Sequence, residues 1–307
     1  METHAVHSSL LARAVPGAPP RRQAWGRRAL RNRMAAAGAA VVVTLILLAI
    51  AAPWITPARY DATDFGDAWQ FPSARHWMGT DGVGRDLYSR VIYGARVSLL
   101  VGFTAQAIAL AAGLPLGLAA GILGGRVDFV IMRVVDALTA FPQLLFALLI
   151  MVVLGSGLGN ILLAIGLHAW IPICRLVRAQ SLREREQEYA EAARAQGAGE
   201  VRVVLRHILP NLLAPVIVAV TLGIPQAIFT EAALSFLGIG IKPPTPSWGQ
   251  MVGEGVNNIR YYWHLAFFPA VMIAFTMAGF VLLGDGLRDI LDPRAQGRAG
   301  VPNTTTG

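Results

Sequence analysis

Lysine is almost missing from this chain: Lys242 is the only one, and Pro243 and Pro244 follow it. A Walker-type phosphate loop needs a lysine beside Ser or Thr, so no nucleotide site of that kind is encoded here. Cysteine is just as scarce. Cys174 stands alone, which excludes an intrachain disulfide, and its apolar surroundings suit a small packing residue. Charge is sparse too. Only 14% of residues are charged and 55% are hydrophobic, against roughly 25% and 45–50% in soluble domains. With a mean hydropathy of +0.53, the composition favours a membrane protein over a large soluble one. The segment GRDLYSR (residues 84–90) offers Ser89 beside Arg85, Asp86 and Arg90 but no histidine to activate it, which argues against a nucleophile.

Long apolar runs are abundant. Six candidate spans can be read: Ala35–Trp54, Val97–Leu123, Val134–Leu154, Leu158–Leu176, Leu212–Ile239 and Leu265–Leu283. The first, at about 1.5 Å per residue, reaches about 30 Å, the thickness of a bilayer's hydrocarbon core. The fold class expected is an all-α polytopic membrane protein with six transmembrane helices and no internal repeat. The net charge is +8, nearly all of its basic part arginine. Those arginines sit between apolar runs and not along one amphipathic face, which argues against nucleic acid.

Arginine sets the orientation. Arg13, Arg21, Arg22, Arg27, Arg28, Arg31 and Arg33 precede the first span against one acid, Glu2. This places the N-terminus in the cytoplasm, with membrane lipid as the simplest contact of the tail. Alternation then puts Arg126 and Arg133 inside, with Arg178, Arg183, Arg185, Arg194, Arg202 and Arg206, and finally Arg288, Arg294 and Arg298. The segments 60–94 and 240–264 fall outside, and the first mixes Arg59, Arg75, Arg85 and Arg90 with Asp61, Asp64, Asp67, Asp81 and Asp86. Ala49–Ala52 reads like a signal-peptidase site, but the preceding arm is long and the run is long enough to span, so an uncleaved first span is expected.

One hydrophilic island interrupts the apolar runs inside the cell: EYAEAARAQGAGEVRVVLRHILPN, Glu188 to Asn211. Arg183 to Gln196 reads as a helix, with Glu191 and Arg194 spaced to pair at i,i+3. Ala190, Ala193 and Gly197 share one face, a strip nearly without side chains that another surface could approach. Gly197 and Gly199 permit a left-handed bend. A second helix is expected over Glu200 to Leu209, and Pro210 then opens the fifth span. On physics alone this is either a lever with a docking surface or a solvated, ordinarily capped loop helix.

The same residues resemble a known family. Glu191-Ala192-Ala193, then Gly197, then His207-Ile208-Leu209-Pro210 looks like the EAA loop of ABC importer permeases. The general pattern prefers an apolar residue where His207 stands, and the RHILPN wording is similar to the dipeptide/oligopeptide branch. Two further stretches resemble that branch, Gly79–Gly102 and Thr230–Val252. The likeness runs from Ala35 to Asp292.

The resemblance implies a type I ABC importer permease fold in the cell inner membrane, with both termini cytoplasmic. It divides the chain into a tail (1–34), the first span and outer loop (35–94), a permease core (95–292) with the coupling loop at 178–210, and a second tail (293–307). It implies four kinds of partner: a second homologous permease, two ABC ATPase subunits, an extracytoplasmic substrate-binding protein, and lipid. Coupling to the ATPase falls to Glu188, Glu191, Ala192, Ala193, Gly197, His207, Leu209 and Pro210. No cofactor, metal or catalytic residue is expected in this chain, because ATP and Mg belong to the partner ATPases. The implied function is uptake of peptides or a related small solute by alternating access.

Other residues carry more than one reading. Glu231 is a lone acid inside the fifth span, either a pathway gate or a structural hydrogen-bonding group. Asp136 is expected to pair locally with Arg133, and His168 to pack. Prolines 142, 172, 215, 225 and 269 fall in or near spans, which is common in membrane helices. Gly113, Gly117 and Gly121 form a close-packing face, for this subunit or a sister. A proton-coupled secondary transporter would want carboxylates in several spans, and only Glu231 clearly qualifies. A non-transporting membrane scaffold is the other rival.

Overall fold

A computed structural model describes residues 32–291. The arginines before Asn32 and those after Leu291, and with them most of both tails, lie outside the described residues. The described residues form ten α-helices and no extended strand; one isolated bridge joins Thr80 and Asp86. Helix α1 spans Arg33–Ile55, α2 Leu87–Leu123, α3 Gly125–Thr139, α4 Gln143–Leu154 and α5 Leu158–Arg185. Two short helices follow, α6 (Glu188–Ala195) and α7 (Glu200–Val203). A π-turn, Val204–Ile208, leads into α8 (Leu209–Phe236), and α9 (Trp248–Val256) and α10 (His264–Leu291) complete the fold.

Five helices are long and apolar enough to cross a membrane, and the bent pair α3–α4 is the sixth candidate. The expected third span, Val134–Leu154, is not one rod. It breaks at Ala140–Pro142 with a bend of 84°. Pro142 is the cause on the sequence side, since the residue before a proline is driven out of the helical region. Helix α4 has 12 residues, about 18 Å at helical rise. That falls short of a hydrocarbon core of about 30 Å. The other spans each outrun at least one expected end, although α8 stops at Phe236, short of Ile239. Helix α2 starts ten residues before Val97, where the Asp86 carboxylate accepts from the Ser89 amide at 2.8 Å. Helix α5 continues past Leu176 to Arg185, and the fifth span begins at Glu200 and runs unbroken to Phe236.

Glycine decides how the rods pack. A methyl group added to Gly113 would lie 2.7 Å from the Trp170 carbonyl oxygen, one on Gly117 2.7 Å from that of Cys174, and one on Gly121 2.6 Å from the Ser181 side chain. The glycine face of α2 is therefore filled by α5 of the same subunit, which resolves the choice the spacing leaves open. Helix α1 sits on α10 in the same way, with Gly38 against the backbone of Leu283 and Gly279. Ala49 and Ala52 lie within α1 and are buried there.

Ion pairs tie α3 to α5. Asp128 accepts from Arg178 Nε at 2.5 Å and Nη2 at 2.6 Å. Asp136 pairs with Arg175 at 2.9 Å. The expected Asp136–Arg133 pair is not formed; the Arg133 guanidinium lies over the Phe129 ring instead, 5.0 Å from its centre. Between the two ion pairs the contact is a small apolar cluster of Val135, Ile171 and Cys174.

Candidate functional site: a polar knuckle and a charge cluster at opposite ends

The island folds into a compact knuckle between α5 and α8. The helix expected over Arg183–Gln196 is broken at Glu186–Gln187, so α5 and α6 are separate rods. Helix α6 ends in a Schellman motif. The Gly197 amide donates to the Arg194 carbonyl at 2.9 Å and the Ala198 amide to that of Ala193 at 3.0 Å. Gly197 stands at φ +83°, with open space where a side chain would go. Its task is backbone geometry.

The small-residue strip faces differently from the expectation. Ala190 is fully buried, packed with Val203, Ile208, Leu212, Ile173 and Val177, and Ala193 is half-buried against the same cluster. A strip of alanines lets α6 lie close to its own subunit. The surface left open is formed by Glu188, Glu191, Ala192 and Gly197, all exposed. His207 and Leu209 are half-buried and Pro210 is exposed. The structure thus gathers the eight expected coupling residues into one knuckle but turns only part of them outward.

Polar bonds stiffen the knuckle. Arg194 donates to Glu200 at 2.8 Å and to the Arg185 carbonyl at 3.0 Å, so it does not pair with Glu191. Glu200 and Arg185 lie on either side of the bend, and one guanidinium between them bridges it. Arg185 in turn donates to the Gly121 and Ile122 carbonyls at 3.3 and 3.2 Å, closing the end of α2. The Tyr189 hydroxyl donates to the Glu184 carboxylate and accepts from Asn211, whose amide also reaches the His207 carbonyl at 3.1 Å. Burial and the Glu184 bond push the Tyr189 phenol up to about 12. Pro210 has no N–H for the Arg206 carbonyl, and the π-turn just before it absorbs the mismatch: Leu209 donates to Val204. Pro210 therefore stands in the first turn of α8, as its position suggests, and the π-turn joins that helix to α7 without a break in the rod.

Glu231 is fully buried within the subunit. It accepts from the Ser235 hydroxyl at 2.7 Å, and that hydroxyl accepts from the Ile241 amide at 3.1 Å. This chain pins the end of α8 to the loop leading to α9. Trp248, at the start of α9, is buried and donates to the Val91 carbonyl at 2.9 Å. His168 packs near Phe146 with ring centres 5.7 Å apart.

At the opposite end, sequence reasoning missed a cluster. Arg90, 1% exposed, lies between Asp81 and Glu254, 3.2 Å from the latter. Arg85 donates to Asp81 at 2.6 Å. Burial pushes the Asp81 carboxyl up, but Arg90 and Arg85 outweigh it and hold it below its ordinary value. Asp81, Arg85 and Arg90 were visible as outer charges. No local signal joins Glu254 to them across 164 positions.

Comparison with known proteins gives the family. The family profile "Binding-protein-dependent transport system inner membrane component" matches residues 113–297, and "N-terminal TM domain of oligopeptide transport permease C" matches 20–72. The chain belongs to the binding-protein-dependent transport permeases. The permease is 44% identical to the oligopeptide transport system permease protein OppC of Bacillus subtilis, over 86% of each chain. It is 42% identical to the dipeptide permease DppC of the same organism, over 88% of this chain and 85% of that one. It is 43% identical to the glutathione transport permease GsiD of Escherichia coli, over 91% and 92%. An inward-facing structure of the MetNI methionine ABC transporter shares the fold, with a TM-score of 0.57, 19% identity, and 67% of this chain and 98% of that one covered. The permease is thus a multi-pass inner-membrane subunit of an importer and works with ATPase and other subunits.

Proposed function

We propose that this permease moves peptides, or a related small solute such as glutathione, inward by ATP-driven alternating access. Its relatives named for oligopeptide, dipeptide and glutathione transport support the solute class, at 42–44% identity over most of the chain. The knuckle is the coupling element. Its exposed face of Glu188, Glu191, Ala192 and Gly197 meets an ATPase subunit, while Ala193, His207, Leu209 and Pro210 hold that face to α8. ATP and Mg act on two ATPase subunits, and this chain carries no cofactor and no catalytic residue. A second, homologous permease completes the pathway, and a binding protein delivers solute from outside. Both termini lie in the cytoplasm, on the side of the knuckle, and the first span is retained. The permease core is 95–292, preceded by the first span and outer loop.

Helix α8 supplies the physical link. Its rod begins in the knuckle at Glu200 and ends at Phe236 beside the outer loop, so a push on the knuckle tilts a spanning helix. ATP binding then biases a two-state bundle. Glu231 fastens α8 to the outer loop and is not a gate.

The test pairs topology with coupling. A single cysteine at Ala192, in a Cys174→Ser background, should resist impermeant thiol reagents in intact cells. It should crosslink to an ATPase subunit in membranes opened to the cytoplasmic side. Labelling from outside, or no crosslink to any ATPase subunit, refutes the coupling assignment. Uptake that survives ATP depletion but collapses with the proton gradient refutes the ATP-driven reading.

A further inference from the structure

The end of the permease opposite the knuckle carries a half-open cavity of about 300 Å³. It lies between the 69–85 loop, the start of α2, α9 and the start of α10, at the far end of the bundle from the knuckle. Nothing in the coupling scheme uses it. Its volume stands at the lower bound of small-molecule pockets, the size of an amino acid or dipeptide.

The hydrogen-bonding capacity of its charged wall can be counted. Asp81 is saturated. One oxygen accepts from the Val83 and Arg85 amides at 3.0 and 2.9 Å, the other from Arg85 Nε and from Arg90. Glu254 accepts from Gln250 at 3.0 Å and Arg90 at 3.2 Å, yet its side chain stays 41% exposed. Arg90 is 1% exposed and its Nε has no partner. Arg85 spends its Nε on Asp81, and its Nη2 stays 3.8 Å from Glu254, beyond a hydrogen bond. The wall therefore presents, side by side, the unspent terminal nitrogens of Arg85 and the partly exposed carboxylate of Glu254. Trp69, Met251 and Leu265 add apolar lining, and Asn258 adds an amide.

Two arginines and two acids sum to zero charge, so the wall suits a neutral ligand better than an anion. We propose that this cavity binds a small zwitterion, an amino acid or dipeptide, with its carboxylate on Arg85 and its ammonium on Glu254. The site lies on the outer side and reads free solute directly, apart from delivery by the binding protein. It rests on the cavity's own chemistry and stands whether or not peptides are the transported solute.

The test uses the complete importer in nanodiscs, without its binding protein, and titrates Gly-Leu, N-acetyl-Gly-Leu and Gly-Leu amide by calorimetry. Gly-Leu should bind saturably, in the millimolar range or tighter. Each blocked ligand should bind about tenfold or more weakly, the loss of one charge-assisted hydrogen bond. In Glu254→Gln, Gly-Leu should fall to the level of the N-acetyl form, and the two should become equal. In Arg85→Gln, Gly-Leu and its amide should become equal. A merely structural role for these residues would weaken all three ligands alike, and that outcome overturns the proposal. So does the absence of saturable Gly-Leu binding to the unaltered importer, or unchanged binding in both variants. Asn258→Ala, which removes no ion pair, should weaken Gly-Leu without altering the ranking of ligands; a changed ranking counts against the assignment.

Discussion

Charge exchange between Asp128 and Arg178 tests whether α3 is held to α5 by that ion pair. The pair is bidentate, at 2.5 and 2.6 Å, with side chains 21% and 31% exposed. Fully exposed pairs contribute about 0.2–1 kcal/mol, and bidentate geometry raises that, so about 1–1.5 kcal/mol of coupling is expected after solvent screening. The apolar contact nearby has a small buried centre, Val135, Ile171 and Cys174, with Ile131, Met132, Leu138 and Trp170 packed against it, so losing the ion pair should weaken the α3–α5 contact without abolishing it. Asp128→Asn and Arg178→Gln should each lower thermal stability in detergent. Asp128→Arg should do worse, setting two guanidinium groups against each other. Combining Asp128→Arg with Arg178→Asp should recover part of the loss. Recovery stays partial because Asp128 sits in the first turn of α3, where an arginine opposes the helix dipole by about 0.3–1 kcal/mol. The assay is a double-mutant cycle on unfolding, repeated from low to high salt, with uptake measured alongside. Coupling should shrink as salt rises. Additivity of the two single changes within about 0.3–0.5 kcal/mol would refute the reasoning.

Four further outcomes are expected. Gly197→Ala should cost about 1–2 kcal/mol locally, because φ is +83°, and reduce coupled ATPase activity; Gly197→Asn, which tolerates that region, should lose less. Gly117→Leu should prevent close approach of α2 and α5 and lower the folded yield, whereas Gly159→Ala, with open space around it, should not. Asp81 is held low in the fold, so its stabilisation is complete above the unfolded value of about 3.9 and is lost as pH falls through the lowered folded value. Protease resistance of the outer loop should follow that profile, and Arg90→Met should move the acid transition to higher pH. Glu231→Gln keeps an acceptor for Ser235 and should keep uptake, while Glu231→Leu should loosen the loop before α9; loss of uptake by the Gln variant with intact assembly would restore the gate reading.

The long rods were legible because apolarity over twenty residues is a local property. The knuckle was legible as a position but not as a surface. Spacing puts Ala190, Ala193 and Gly197 on one face, yet it does not say whether that face meets a partner or the chain's own core. Val203, Ile208 and Leu212 decide that, and they come from the other side of the bend. The same limit explains Asp136, which chose Arg175 on another helix over Arg133 on its own. Local spacing names candidate partners, but tertiary geometry selects among them. The break at Pro142 had a visible cause, but its angle depends on packing against α5. The Glu254 cluster needed two outer segments brought together, and nothing in either segment announces the other.

The rod from Glu200 to Phe236 has one more consequence. Its 37 residues measure about 55 Å, so pivoting it by ten degrees about its middle sweeps either tip through about 5 Å. A stroke applied at the knuckle tip reaches the far tip as an opposite stroke of like size. The rod's weak points are the widened turn at Val204–Ile208, near the driven end, and the two turns that Pro215 and Pro225 leave short of a hydrogen bond, and slack at any of them would blunt the stroke.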